Sequence, residues 1–213
     1  MNPSATTALV VLVGVVALFA VTIYFSLRFR KRNFAKGLEL KAADVWPQFQ
    51  NDGFELSGLL YGVWQDFSST EFGMIVKDCN DQQAARIVYH TGRRLGWITI
   101  ETSAGNFVAD VLPTLRQSVA LRSQNDGSQS LCDFSRLTRG TYRFDAKSFG
   151  ILESEIPRGL RLAPVFRYML NGVPVGTSCH IGGWRNLGRM VVLSHDLPLS
   201  IRLFVLAMQG QRV

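Results

Sequence analysis

The ten residues LSIRLFVLAM, Leu199 to Met208, break the period-two pattern that fills most of the chain before them. Pro198 stands immediately ahead and suits the first turn of a helix, with Ser194 or Asp196 placed to cap it. Six successive apolar residues, Leu203 to Met208, would cover every face of that helix. A helix apolar all round is either buried on all sides or immersed in lipid. Ten residues reach only about 15 Å, half the hydrocarbon thickness of a bilayer. The place left for it is the inside of a surrounding structure, and the preceding sequence supplies the wall.

That wall is written as short β-prone runs separated by turn signals roughly every 8 to 14 residues. The runs are Phe54 to Phe67, Phe72 to Lys77, Ala85 to His90, Leu95 to Thr102, Phe107 to Leu112 and Ser118 to Ser123. They continue through Ser130 to Arg136, Thr141 to Phe144, Gly150 to Glu155, Leu160 to Leu170, Val173 to Ile181 and Arg189 to Ser194. Alternation is plain in Trp97-Ile98-Thr99-Ile100-Glu101-Thr102, where Trp97, Thr99 and Glu101 share one face. Asn125-Asp126-Gly127 and Asn171-Gly172 supply residues that tolerate positive φ in tight hairpins; His90-Thr91-Gly92 and Arg139-Gly140 are weaker turn signals. About twelve short strands with no helices between them predict a mainly β fold, an antiparallel barrel enclosing the C-terminal helix.

A β-rich domain of about twelve strands that ends in LPLSIRLFVLAMQGQR resembles the tubby C-terminal-like superfamily, which includes LURP-one-related proteins and phospholipid scramblases. The resemblance is architectural and covers Phe54 to Arg212. It implies a closed barrel around an apolar helix, and through the scramblases a link to phospholipid. It transfers no ligand residue. The chain departs from scramblases in having its anchor at the N-terminus and no acidic stretch suited to calcium beside the last helix.

The anchor is ALVVLVGVVALFAVTIYFSL, residues 8–27, uncharged and long enough as a helix to span about 30 Å. A cleaved signal peptide would carry its positive charge before a shorter apolar core. Here Met1 to Thr7 carries no charged side chain, and Arg28, Arg30, Lys31, Arg32 and Lys36 follow the core, so a retained transmembrane helix is expected. Tyr24 and Phe25 fall where aromatics favour the headgroup region. Lys and Arg are held on the cytoplasmic side, which places the N-terminus outside and the rest in the cytoplasm. The expected organisation is a short tail (1–7), a transmembrane helix (8–27), a basic juxtamembrane linker (28–53) and a cytoplasmic barrel domain (54–213). Within the linker a short helical stretch, Leu38 to Val45, is stopped by Pro47.

The chain has 23 basic and 16 acidic residues, a net charge of +7. Without the five basic residues from Arg28 to Lys36 the balance is 18 against 16, or +2. The collar sets topology and attracts anionic lipid. A domain so nearly neutral, without a basic stripe interleaved with aromatics, argues against nucleic-acid binding. Arg93, Arg94, Arg158, Arg161 and Arg167 are candidate anion contacts, their plainer reading being solvated rim positions.

No chemistry announces itself. No nucleophile elbow, phosphate loop or zinc-binding HExxH occurs. Cys79, Cys132 and Cys179 form no CxxC and no metal-like spacing with His90, His180 or His195, which suits buried thiols in a reducing compartment. Asp78-Cys79-Asn80-Asp81 starts like a calcium loop but lacks its Gly and Glu, and reads as a polar turn. Cys179 and His180 are adjacent on a strand and therefore point to opposite faces. The glycine-rich stretch Gly182 to Gly188 reads as a loop on the barrel rim. No catalytic residue, metal or cofactor is assigned. The expectation is a membrane-anchored binding or scaffold module whose partners are membrane lipid and other integral-membrane subunits; a phospholipid-binding or scrambling protein is the alternative. An enzyme whose site assembles from separated residues is the third reading.

Overall fold

The protein is described from a computed structural model, which covers residues 3–48, 53–68, 71–90, 96–112, 118–138, 141–155, 165–182 and 186–209. Twelve strands form one closed antiparallel barrel. They are β1 (Leu59–Asp66), β2 (Glu71–Asp78), β3 (Gln83–His90), β4 (Trp97–Thr102), β5 (Gly105–Leu112) and β6 (Ser118–Ser123). The second half comprises β7 (Ser130–Thr138), β8 (Thr141–Ala146), β9 (Gly150–Glu155), β10 (Phe166–Leu170), β11 (Val173–Ile181) and β12 (Gly188–Leu193). Every strand pairs with its neighbours in sequence, and β12 closes on β1 from Leu59 opposite Val192 to Val63 opposite Gly188. At that seam the backbones approach so closely that a Cβ on Gly188 would stand 2.0 Å from the Gly62 carbonyl oxygen. Only glycine fits there.

Period-two alternation decides which side chains enter the bore. In β4 Ile98 and Ile100 are buried while Trp97, Thr99 and Glu101 face outward, and β8 alternates along its whole length. The expected Asn171-Gly172 hairpin forms with both residues at positive φ, 50° and 85°. The Asn125-Asp126-Gly127 hairpin also forms, but as a longer connection in which none of the three has positive φ. The Asp78 turn is an ordinary one: Asp78 Oδ1 accepts the Asn80 and Gln82 amides. The run expected as a strand from Phe54 opens instead with a 3₁₀ turn, Leu56–Gly58.

The barrel is filled by α3 (Leu199–Met208). Ile201 and every residue from Leu203 to Met208 are at most 3% exposed. Phe204 meets Phe144 of β8 edge-on at 5.9 Å. The start of α3 corrects one expectation. Pro198 is the cap residue itself, its carbonyl accepting the Ile201 and Arg202 amides. The Ser194 hydroxyl donates to the Asp196 carboxylate, so neither side chain caps the helix.

A second apolar layer lies outside the barrel. The outer faces of β1, β11 and β12 bury Leu59, Tyr61, Val63, Ile181, Met190 and Val192 beneath Ala42 and Val45 of α2 (Ala42–Val45). The stretch expected as a linker is thus largely packed. Helix α1 (Pro3–Leu38) runs beyond the apolar segment for eleven more residues and ends on the barrel. Arg30, Asn33, Phe34 and Gly37 recur at i, i+3, i+4 and i+7, one face of a helix. Asn33 and Gly37 are buried, and Phe34 packs against the barrel core. The helical stretch expected from Leu38 to Val45 is divided: α1 ends, α2 follows, and Pro47 lies in a 3₁₀ turn.

One outer contact is sensitive to acid. Asp81 Oδ1 accepts the Tyr61 hydroxyl and the Ala42 amide, tying α2 to the wall. The Tyr61 bond, helped by the Ala42 amide and nearby lysines, holds the Asp81 carboxyl below its ordinary value. A carboxyl lowered on folding stabilises the fold above its unfolded value of about 3.9, and that contribution is lost as pH falls through the lower folded value. Wild type should therefore lose more stability than Asp81→Asn between about pH 4 and pH 2. Acid unfolding followed by tryptophan fluorescence checks this; parallel curves for the two proteins would refute it.

Candidate membrane-facing site

The barrel has two distinguishable ends. Helix α1 meets the one where β1 finishes and β2 begins, called here the near end. Because consecutive strands alternate in direction, α3 enters at the far end after β12 and finishes at the near end.

Among the described residues α1 is the one helix long and apolar enough to cross a membrane, and none of its apolar stretch is buried against the protein. Tyr24 and Phe25 are exposed and touch edge-on at 5.8 Å. Of the collar, Arg28, Lys31, Arg32 and Lys36 are exposed to solvent. Arg30 is different. Its guanidinium pairs with Asp66 at the end of β1 and lies over the rings of Phe34 (5.1 Å) and Phe72 (5.5 Å). Counted with the collar in the sequence, it joins helix to barrel in the structure. Both charges of the pair are nearly half exposed, and such pairs contribute about 0–1 kcal/mol. Arg30→Gln is accordingly expected to lower global stability by less than about 1 kcal/mol. It should speed amide exchange in residues 30–38, measured by hydrogen–deuterium exchange; unchanged exchange there would show that packing alone holds the helix.

Beneath this contact lies a buried polar group. Phe72 packs on Trp64 and Tyr89, at 5.3 Å from each, and those two rings are themselves 5.9 Å apart. Arg189, the first inward-facing residue of β12, lies over Trp64 at 4.8 Å. It donates to the Ala207 carbonyl (2.8 Å) and the Tyr89 hydroxyl (3.3 Å), and Tyr89 donates to the same carbonyl (2.8 Å). Asn186 accepts from Trp64 Nε1 (3.2 Å) and stands 3.1 Å from His180 Nδ1. Burial pushes both the Arg189 guanidinium and the His180 imidazole below their ordinary values. The group therefore caps the carbonyl end of α3 and links it to the wall.

Cys179 packs in the outer layer and His180 bonds Asn186, so the two are separated by the wall, as strand geometry requires. Among the described residues no three His, Cys, Asp or Glu side chains gather as metal ligands. At the far end an open cleft of about 480 Å³ lies between residues 53–58 and the ends of β11 and β12. Its serines donate to carboxylates, Ser57 to Glu55 and Ser194 to Asp196, not to His195. That arrangement activates no nucleophile.

Compared with protein-family models, with curated proteins and with solved structures, the chain matches none. Its site must be argued from its own residues.

Of the candidate anion contacts, Arg167 lies exposed on β10, opposite Glu155 of β9. Arg93, Arg94, Arg158 and Arg161 lie outside the described residues. The sequence reading missed Arg189, Trp64, Phe72 and Asp66. A signal existed in GRMVVL, where one arginine interrupts an apolar strand that is buried on both faces.

Proposed function

We propose that this chain is a single-pass membrane-anchored binding module, with its N-terminus outside and its barrel held against the cytoplasmic membrane face, serving an integral-membrane complex as an accessory subunit. The observation that carries the reading is the continuity of α1, which passes from an apolar stretch into a docking face without a break. Leu27 precedes Arg30 by three residues, about 4.5 Å of helix axis. The barrel is thus held within one helical turn of the headgroup layer and has little freedom to swing.

Orientation and insertion are tested together in membranes from expressing cells. The full chain should resist carbonate extraction, and a C-terminal epitope should be cleaved by protease only when the cytoplasmic face is accessible. Release by carbonate, or cleavage from the opposite face, would reject the reading. The accessory-subunit element predicts that crosslinkers placed on the exposed side chains of α1 capture a second membrane protein. A chain that stays alone by crosslinking and by native mass spectrometry would reject it.

A phospholipid-binding role is the second reading. It is favoured by the barrel-around-helix architecture, which the scramblase-type resemblance implies. Because α3 fills the bore, a lipid would meet this barrel at its surface.

A further inference from the structure

Strand β12 stops before its neighbours do, and the gap it leaves is the cleft at the far end. Its last residue, Leu193, stands opposite Gly176, whereas β11 begins three residues earlier at Val173. On the other side residues 53–58 precede Leu59, which pairs with Val192. The chain does not fill the gap itself. The Ser194 amide donates to the Val175 carbonyl (2.9 Å), Leu197 is then buried, and α3 enters the bore. Two strand spacings, about 9–10 Å, thus separate the walls, enough for one extended segment. The resulting cleft of about 480 Å³ has Phe54, Val173, Pro174 and Val175 among its lining residues.

Pro174 has no N–H and the Val175 carbonyl is already bonded, so an incoming segment is read through its side chains and not as an added strand. Those side chains meet a surface both apolar and negative. Among the described residues outside α1, six large apolar side chains are exposed, and four of them, Leu56, Leu131, Phe149 and Val173, lie at the far end. Phe149 is drawn toward Val173 because Ile151 exchanges two hydrogen bonds with Asn171 of the β10–β11 hairpin (3.0 and 3.1 Å). Glu55 and Asp196 line the cleft, and no lysine or arginine does. Neither carboxylate has an ion pair among the described residues. Lys147, in a neighbouring connection, is already held between Asp133 (2.7 Å) and Asp145 (2.9 Å). The Ser57 and Ser194 hydroxyls give Glu55 and Asp196 one bond each, which leaves most of their acceptor sites open. A cation carried beside an apolar group is the complement of such a surface.

The placement of α1 says where such a partner would come from. Its last turns run antiparallel to β1, with Arg30 at Asp66 and Gly37 at Val63, so its apolar stretch leaves past the near end. The far end then faces away from the bilayer, into the compartment where the flanks of membrane-spanning segments carry most of their lysine and arginine. We infer that the far-end cleft is a docking site for a basic segment of another membrane protein, one that presents an arginine or lysine next to an apolar residue. This rests on the anchored accessory-subunit reading above and gives it a point of contact on the barrel.

The test uses the full chain in phosphatidylcholine nanodiscs and a fluorescent, capped peptide of alternating arginine and leucine, with empty nanodiscs as background. Fluorescence anisotropy should show saturable binding that weakens as salt rises. Glu55→Gln with Asp196→Asn should lower the affinity roughly tenfold, and Val173→Arg should abolish it. Asp110→Asn with Asp126→Asn removes the same charge elsewhere and should leave binding unchanged. Citrulline in place of arginine, or serine in place of leucine, should cost the peptide most of its affinity. The inference is overturned if the cleft pair of substitutions binds as wild type does, if the control pair loses as much, or if the citrulline peptide binds equally well. It is also overturned if free arginine amide competes as strongly as the peptide, which would make the cleft a site for a small amine. The peptide comparisons need only wild type, so they decide the matter even if a variant fails to fold. Nanodiscs expose the barrel whatever its orientation in cells, and the carbonate and protease assays above report separately on the anchor.

Discussion

Phe204→Ala is expected to cost about 3–5 kcal/mol of folding stability, near the upper part of the range for a deleted core aromatic. Phe204 is wholly buried at the middle of α3 and packs edge-on against Phe144. The cost of a deleted side chain depends on how far its surroundings collapse into the space. Collapse is resisted here because the wall is a ring of backbone pairs closed at the contact of β1 with β12, and drawing one strand inward would break pairs on both sides. Denaturant unfolding of the full chain in mild detergent measures the loss. Phe149→Ala provides the contrast: that side chain is 40% exposed in a far-end connection and should cost less than about 1 kcal/mol. Similar losses for the two would mean that α3 does not occupy the bore.

The same helix shows why so much of the fold was legible. LSIRLFVLAM is too short for a bilayer and too apolar for a surface, and period-two runs with turn signals counted out the strands around it. The alternation states only that one face is buried, so the outer layer was harder to see. Its trace is the unbroken apolar character of LLYGV in β1 and of MVVL in β12, strands covered on both faces. The docking face of α1 escaped for a related reason. It is two turns long and consists of an arginine, an asparagine, a phenylalanine and a glycine, of which only the phenylalanine counts as apolar in a periodicity search. Gly37 is there for closeness, since a Cβ would stand 3.2 Å from the Leu187 carbonyl. The candidate site was least legible. Trp64, Phe72, Tyr89 and Arg189 come from four strands and meet at the near end of the barrel only once it closes, which no local pattern in the sequence records.

Arg189→Ala is the substitution expected to disturb that end most, at about 3–5 kcal/mol, whereas Arg189→Met should cost less than about 2 kcal/mol. Arg189 is buried, and the groups it touches are Ala207, Tyr89 and Trp64, none of them a carboxylate. What compensates its charge is the carbonyl end of α3, where the helix dipole favours a cation, together with the face of the Trp64 ring. Alanine removes the cap and opens a void beneath Trp64. Methionine fills the void and loses the two guanidinium hydrogen bonds, leaving the Tyr89 hydroxyl on the same carbonyl. Calorimetry of both variants, alone and with Tyr89→Phe, separates packing from capping. With Tyr89→Phe the methionine variant leaves the Ala207 carbonyl without either donor, and its loss should exceed the sum of the single losses. Hydrogen exchange at Met208 and Gln209 should rise in Arg189→Ala while β6 to β9 stay protected. Equal costs for alanine and methionine would place the importance of Arg189 in its charge alone, and a cost below about 1 kcal/mol for alanine would mean the guanidinium is not holding the helix end. The arginine that interrupts β12 thus fixes the end of the core helix at the end of the barrel that α1 meets.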